Sequence, residues 1–204
     1  MWRNSNRMVM KMAANILVAS ALAATATASV QFISVAPPPV KIPIVEFKEE
    51  KTSWKCPDCT PNEQYVLEQI QKNTKITDRN ALATVLGNIK QESNFHPDIC
   101  EGGARVPYSD CHSGGYGLIQ WTTEKRYLGL GNFCKEYGCD PSSLEGQTRY
   151  MINESQFQDI LPEFEGRGMS VSQYMVGAYY WLGWGIKGNR ETYAYEYTKK
   201  MVNV

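Results

Sequence analysis

Glu92 stands at the end of an apolar helical repeat, within Gln91-Glu92-Ser93-Asn94-Phe95-His96-Pro97. After an interruption comes a glycine-rich aromatic strip, Gly114-Gly115-Tyr116-Gly117-Leu118-Ile119-Gln120-Trp121. One carboxylate close to a strip of that kind suits general-acid chemistry, in which a glutamic acid gives its proton to a glycosidic oxygen while a sugar chain lies across it.

The element that must position Glu92 can be read from its pattern. Thr77 and Asp78 are capping residues, and Ala81, Leu82, Val85, Leu86 and Ile89 follow at spacings of three and four. At about 100° per residue they share one arc, with Thr84, Asn88, Lys90 and Gln91 on the other side. Glu92 then projects from the edge of the buried face, and Phe95 and Pro97 close the helix beside it. A carboxyl held there is partly desolvated, which favours its neutral form. A solvated glutamate at a frayed helix end has the same local pattern and is the commoner case.

Glu92-Ser93-x-Phe95-x-Pro97, followed by Gly117-Leu118-Ile119-Gln120, resembles the paired signature of the lysozyme-like superfamily of goose-type lysozymes and lytic transglycosylases. The wider stretch, from about Ala81 to the Tyr/Trp-rich region near residue 185, resembles the phage tail lysozyme family. The resemblance implies that Glu92 is the catalytic acid and that Gln120 and the backbone around Gly117 contact saccharide. It also implies that Tyr179, in Ala178-Tyr179, lies near the acid. Trp121 and Trp184 are further candidates for stacking on sugar faces, although aromatic residues at helical spacing usually fill a core. The implied substrate is the glycan strand of peptidoglycan, cut at the β-1,4 bond between N-acetylmuramic acid and N-acetylglucosamine, with no cofactor.

Two features depart from the superfamily pattern. An inserted loop, Cys100 to Cys111, separates the motifs, and no second carboxylate is evident. Asp98, Glu101, Asp110 and Glu124 are the candidates, but sequence does not fix the carboxylate separation that distinguishes a nucleophile from a water-activating base. A lytic transglycosylase, which needs one acid only, therefore stays open beside a hydrolase. So does a wall-binding module of a tail that keeps the groove without the chemistry.

The six cysteines fall into three local pairs, Cys56/Cys59, Cys100/Cys111 and Cys134/Cys139, one of fifteen connectivities. In an exported chain they favour disulfides, and Cys100–Cys111 would close the inserted loop. His96, Cys100, Cys111 and His112 are soft ligands close in sequence, but their spacing matches no standard zinc module, and no metal is expected.

Length and composition bound the rest. The 204 residues, 43% hydrophobic, allow one substantial core. Net charge is zero, yet four of the 21 basic residues precede the first acid, Glu46, leaving 17 against 21 acids beyond it. That balance argues against a nucleic-acid-binding surface. Arg3, Arg7 and Lys11 precede an uncharged run from Met12 to Val40, so 1–36 reads as a cleaved signal peptide, a retained membrane anchor, or an arm buried in a virion tail. The protein would then be exported to the periplasm, membrane-anchored facing the wall, or tail-bound. Residues 37–60, with Pro37-Pro38-Pro39 and Pro43, read as a stiff spacer, and 61–204 as the catalytic domain. Helices are expected near 62–73, 78–93, 123–137, 143–154, 171–183 and 189–202, with a loop or small hairpin over 98–118. The expected fold class is mainly α, a lysozyme-like helical domain.

Overall fold

The computed structural model describes residues 52–204; the apolar leader 1–36 and most of the spacer lie outside the described residues. Among the described residues seven α-helices appear: α1 Pro61–Asn73, α2 Arg79–Ser93, α3 Glu124–Tyr137, α4 Leu144–Asn153, α5 Ser155–Phe164, α6 Val171–Leu182 and α7 Arg190–Lys200. Short strands β1 Trp54–Lys55 and β2 Val202–Asn203 pair antiparallel, Trp54 opposite Asn203. No helix among the described residues is long and apolar enough to cross a membrane.

Side chains of the expected types start most helices. Thr60 and Glu63 form a reciprocal capping box on α1, and Ser170 and Gln173 form another on α6. Asp78, Thr123 and Ser143 each accept backbone N–H groups at the starts of α2, α3 and α4.

The helix α2 is not the half-exposed element that its spacing predicts. Every residue from Ala81 to Ile89 is buried, Thr84 and Asn88 included. It is the central helix of the domain, packed most extensively on α7 and then on α6 and α1. The two polar residues satisfy themselves locally: Thr84 Oγ1 donates to the Asn80 carbonyl, and Asn88 Nδ2 to the Thr84 carbonyl. Periodicity marks one apolar arc, but small and self-bonded side chains let the opposite arc be covered as well.

Three further features complete the domain. Helix α5 follows α4 after a single residue, Glu154, which ends one helix and precedes the other. The inserted loop forms two isolated bridges, Ile99 with Arg105 and Cys100 with Tyr116, rather than strands. Residues 52–60 do not behave as a free spacer: Trp54 Nε1 donates to the Thr77 carbonyl, Cys56 is buried, and β1 closes on the far end of the chain. The three local cysteine pairs lie at disulfide separation, with Cα distances of 5.3, 5.6 and 4.4 Å.

Candidate active site

Helix α2 ends at Ser93 because Asn94 takes the left-handed conformation, φ 49°, and Phe95 does the same at φ 60°. Two such residues in succession reverse the chain at once and leave Glu92 on the last turn. A bulky side chain at positive φ costs energy, and such strain collects at functional sites. Phe95 is held there by complete burial and by an edge-on contact with Tyr197.

The two motifs are joined by buried hydrogen bonds. Ser93 Oγ donates to the Leu118 carbonyl at 2.8 Å and accepts the Phe95 N–H at 3.1 Å. The fully buried Gln147, from α4, donates to the carbonyls of Pro97 and Pro141, and its Oε1 accepts the Leu118 N–H at 2.8 Å. Gly117, at φ 70°, fits beneath that amide; a Cβ there would stand 2.3 Å from Gln147 Oε1. Its role is therefore to let the strip pack, since it is buried and absent from the cleft wall.

Glu92 lines an open cleft of about 600 Å³, walled on one side by Ile119, Gln120, Thr122, Thr123 and Arg126 and on the other by residues 182–186 and Arg190. Its Oε1 accepts a hydrogen bond from Arg190 Nη2 in a largely buried ion pair. The sequence leads one to expect apolar neighbours for this carboxyl; a guanidinium from the first residue of α7 is its direct partner instead. Gln120 reaches the wall but spends its amide on the Gly117 carbonyl at 3.1 Å. Trp184 is half-buried in the opposite wall, and the Arg190 guanidinium lies over its ring at 4.7 Å.

Other expected site residues fall elsewhere. Trp121 is fully buried and donates its indole N–H to Glu154, so no sugar can reach it. Tyr179 is exposed on a neighbouring groove with Val176 and Tyr180, across Trp184 from the cleft. None of the four candidate second carboxylates lines the cleft. Asp98 pairs with Arg105, Glu101 accepts the Gly115 N–H, Asp110 accepts from Ser109, and Glu124 is exposed in the first turn of α3. Among the described residues Glu92 is the one acid on the cleft wall.

A second buried carboxylate sits behind that wall. Glu154 accepts hydrogen bonds from Trp121 Nε1, Trp181 Nε1, and Arg126 through both Nε and Nη2, at 2.6–3.1 Å. The arrangement fixes Arg126, whose side chain reaches the cleft. Beside it, burial and the Glu154 charge push the Tyr150 hydroxyl up to about 12, so Tyr150 stays a donor, to the Arg126 carbonyl. Sequence reasoning selected neither Glu154 nor Arg190. A cation in the first turn of a helix opposes the helix dipole, and that anomaly was the available signal for Arg190.

A helical domain whose central helix delivers one carboxylate to the wall of an open groove defines a lysozyme-like protein. The chain belongs to the phage tail lysozyme family, whose profile matches residues 61–201. No curated protein is similar enough to count as a relative. Its function is accordingly lysozyme-like, the breakdown of peptidoglycan.

Proposed function

We propose that the chain is a glycosidase that cuts the β-1,4 bond between N-acetylmuramic acid and N-acetylglucosamine, with Glu92 as its general acid. The observation that carries this reading is that Glu92 is the one acid on the cleft wall among the described residues, in a chain of a lysozyme family. The Glu92 proton passes to the glycosidic oxygen as the bond to the muramic acid anomeric carbon breaks. The carboxylate left behind then takes a proton from the attacking nucleophile. Trp184 stands in one wall beside the strand, and Ile119 and Gln120 also line the cleft.

A second reading is favoured by the same solitary carboxylate. A lytic transglycosylase uses the muramic acid's own hydroxyl as nucleophile and needs no second acid, whereas a hydrolase of the usual two-carboxylate kind does. A digest of purified peptidoglycan, analysed by mass, separates the outcomes: reducing ends indicate hydrolysis, anhydro ends transglycosylation, and intact glycan a wall-binding module.

Residues 1–36 act in this account as the export or anchoring segment, consistent with their basic start and uncharged run. Mass measurement of the protein recovered from expressing cells tests this: loss of the leader indicates a signal peptide, retention in the membrane fraction an anchor, and retention in soluble protein neither.

A further inference from the structure

We infer that Arg190 is a positioning residue that fixes the Glu92 carboxyl through Oε1 and ties it to the Trp184 wall, leaving Oε2 to carry the transferred proton; this rests on Glu92 being the acid. Arg190 is 5% exposed, and its guanidinium hydrogen-bonds to three residues, Glu92, Ile186 and Lys187. Nη2 donates to Glu92 Oε1, while Nη1 donates to the carbonyls of Ile186 and Lys187 at 2.9 and 2.7 Å. The plane of contacts is completed by the Trp184 ring at 4.7 Å. Arg190 thus joins the acid to the loop that forms one side of the groove. Among the described residues Glu92 Oε2 has no hydrogen-bond partner in the protein, so the anchored oxygen and the free one are distinct.

The rest of the fold supports this placement. Gly87, one and a half turns before Glu92, lets the α7 backbone come down onto α2; a Cβ there would stand 2.7 Å from the Arg190 carbonyl oxygen. Gln91 Oε1 accepts the Asn189 N–H at 2.8 Å, so successive residues of α2 both hold the α6–α7 connection. The other cations nearby are engaged elsewhere: Arg126 with Glu154, Lys187 with Glu191 and Lys90 with Glu196. Arg190 Nε is buried without a partner, a polar cost accepted in a side chain whose hydrogen bonds go to Glu92 and to the carbonyls of Ile186 and Lys187. A guanidinium presents several donors in a fixed planar fork, and lysine cannot reproduce that geometry.

The test compares Arg190→Ala and Arg190→Lys with the wild-type protein on purified peptidoglycan. Turnover, strand binding and far-UV circular dichroism are measured together, at a temperature well below unfolding. Misplacing a catalytic group by about 1 Å can cost on the order of 100-fold, so Arg190→Ala should lose turnover by about 10–100-fold while retaining most of its strand binding. Millimolar guanidinium should restore part of that turnover, and sodium chloride at equal ionic strength should not. Arg190→Lys should fold and fall between the two. A folded Arg190→Ala with wild-type turnover, a loss confined to binding, or a loss that guanidinium does not relieve would overturn the inference. If Arg190→Ala does not fold, Arg190→Lys decides: reduced turnover with retained binding supports it, and wild-type turnover overturns it. A Glu92→Gln protein measured alongside separates the two claims, because its full activity would remove the Glu92 assignment itself.

Discussion

Gly87 and Ala194 meet backbone to backbone: a Cβ on Gly87 would lie 2.6 Å from the Ala194 nitrogen and 2.9 Å from its Cα. Neither atom can rotate away, so any side chain at 87 must push α7 off α2. This approach brings the first turn of α7 against the last turn of α2 and sets Arg190 beside Glu92.

Gly87→Ala is therefore expected to destabilise the domain by about 1–3 kcal/mol, the usual cost of overpacking, despite the better helix propensity of alanine. Activity should fall more than stability predicts, because the displacement lies along the line that joins α7 to the acid. Urea unfolding and turnover on peptidoglycan check both parts.

Glu154 is the acceptor for four donors from Trp121, Trp181 and Arg126. Glu154→Gln keeps the shape but turns an acceptor edge into a donor, leaving the Arg126 charge and an indole N–H without partners. Removing one member of a buried ion pair typically costs about 3–5 kcal/mol, and a loss of that order in urea unfolding is expected.

Glu63 and Tyr197 form a buried hydrogen-bonded pair. Burial raises the Glu63 pKa, but the Tyr197 hydroxyl, the Thr60 donors and the Lys90 charge together outweigh it, and the carboxyl ends below its ordinary 4.5. A depressed pKa stabilises the fold above the unfolded value, and that contribution is lost as pH falls through the folded one. Tyr197→Phe removes a donor from a buried carboxylate and should cost about 1–3 kcal/mol at neutral pH. The deficit should narrow as pH falls below the ordinary carboxylate value of 4.5 and through the lower folded one, because the Tyr197 hydrogen bond favours the ionised carboxylate. Urea unfolding followed from pH 7 downward measures the difference, and a deficit that does not narrow at any pH down to acid unfolding would contradict the assignment.

Cys100 and Cys111 lie 5.6 Å apart at Cα and close the inserted loop. A bridge there should contribute about 2–3 kcal/mol through the entropy of the unfolded chain. The Cys100→Ser, Cys111→Ser double variant should unfold at correspondingly lower urea while retaining its helices. Thiol titration of the native protein should find no free cysteine.

Much of this architecture was legible in the sequence where the signal is local. Asp78 starts its helix through the capping chemistry expected of it, and six of the seven helices fall near their expected places. Helix α5 was missed because Glu154, its preceding residue, turns its side chain inward to the tryptophans instead of capping, and Pro162 lies in its final turns. The site was legible in part. Glu92 and the strip after Gly114 are contiguous motifs, and Gln120 and Trp184 reach the cleft. What failed depends on contacts between residues far apart in sequence. Trp121 is turned inward by Glu154, Gly117 is covered by Gln147, and Arg190 meets Glu92 across 98 positions. No local periodicity encodes those meetings.

The central claim is that Glu92 supplies the proton, and Glu92→Gln tests it most directly. Glutamine keeps the size of the side chain and an oxygen for Arg190 but has no proton to transfer. General acid catalysis contributes roughly 10²–10⁴-fold, and more when one group serves both steps. The variant should fold, bind peptidoglycan and release muropeptides at a rate near background. Release near the wild-type rate, measured by mass analysis of the soluble products, would contradict the account.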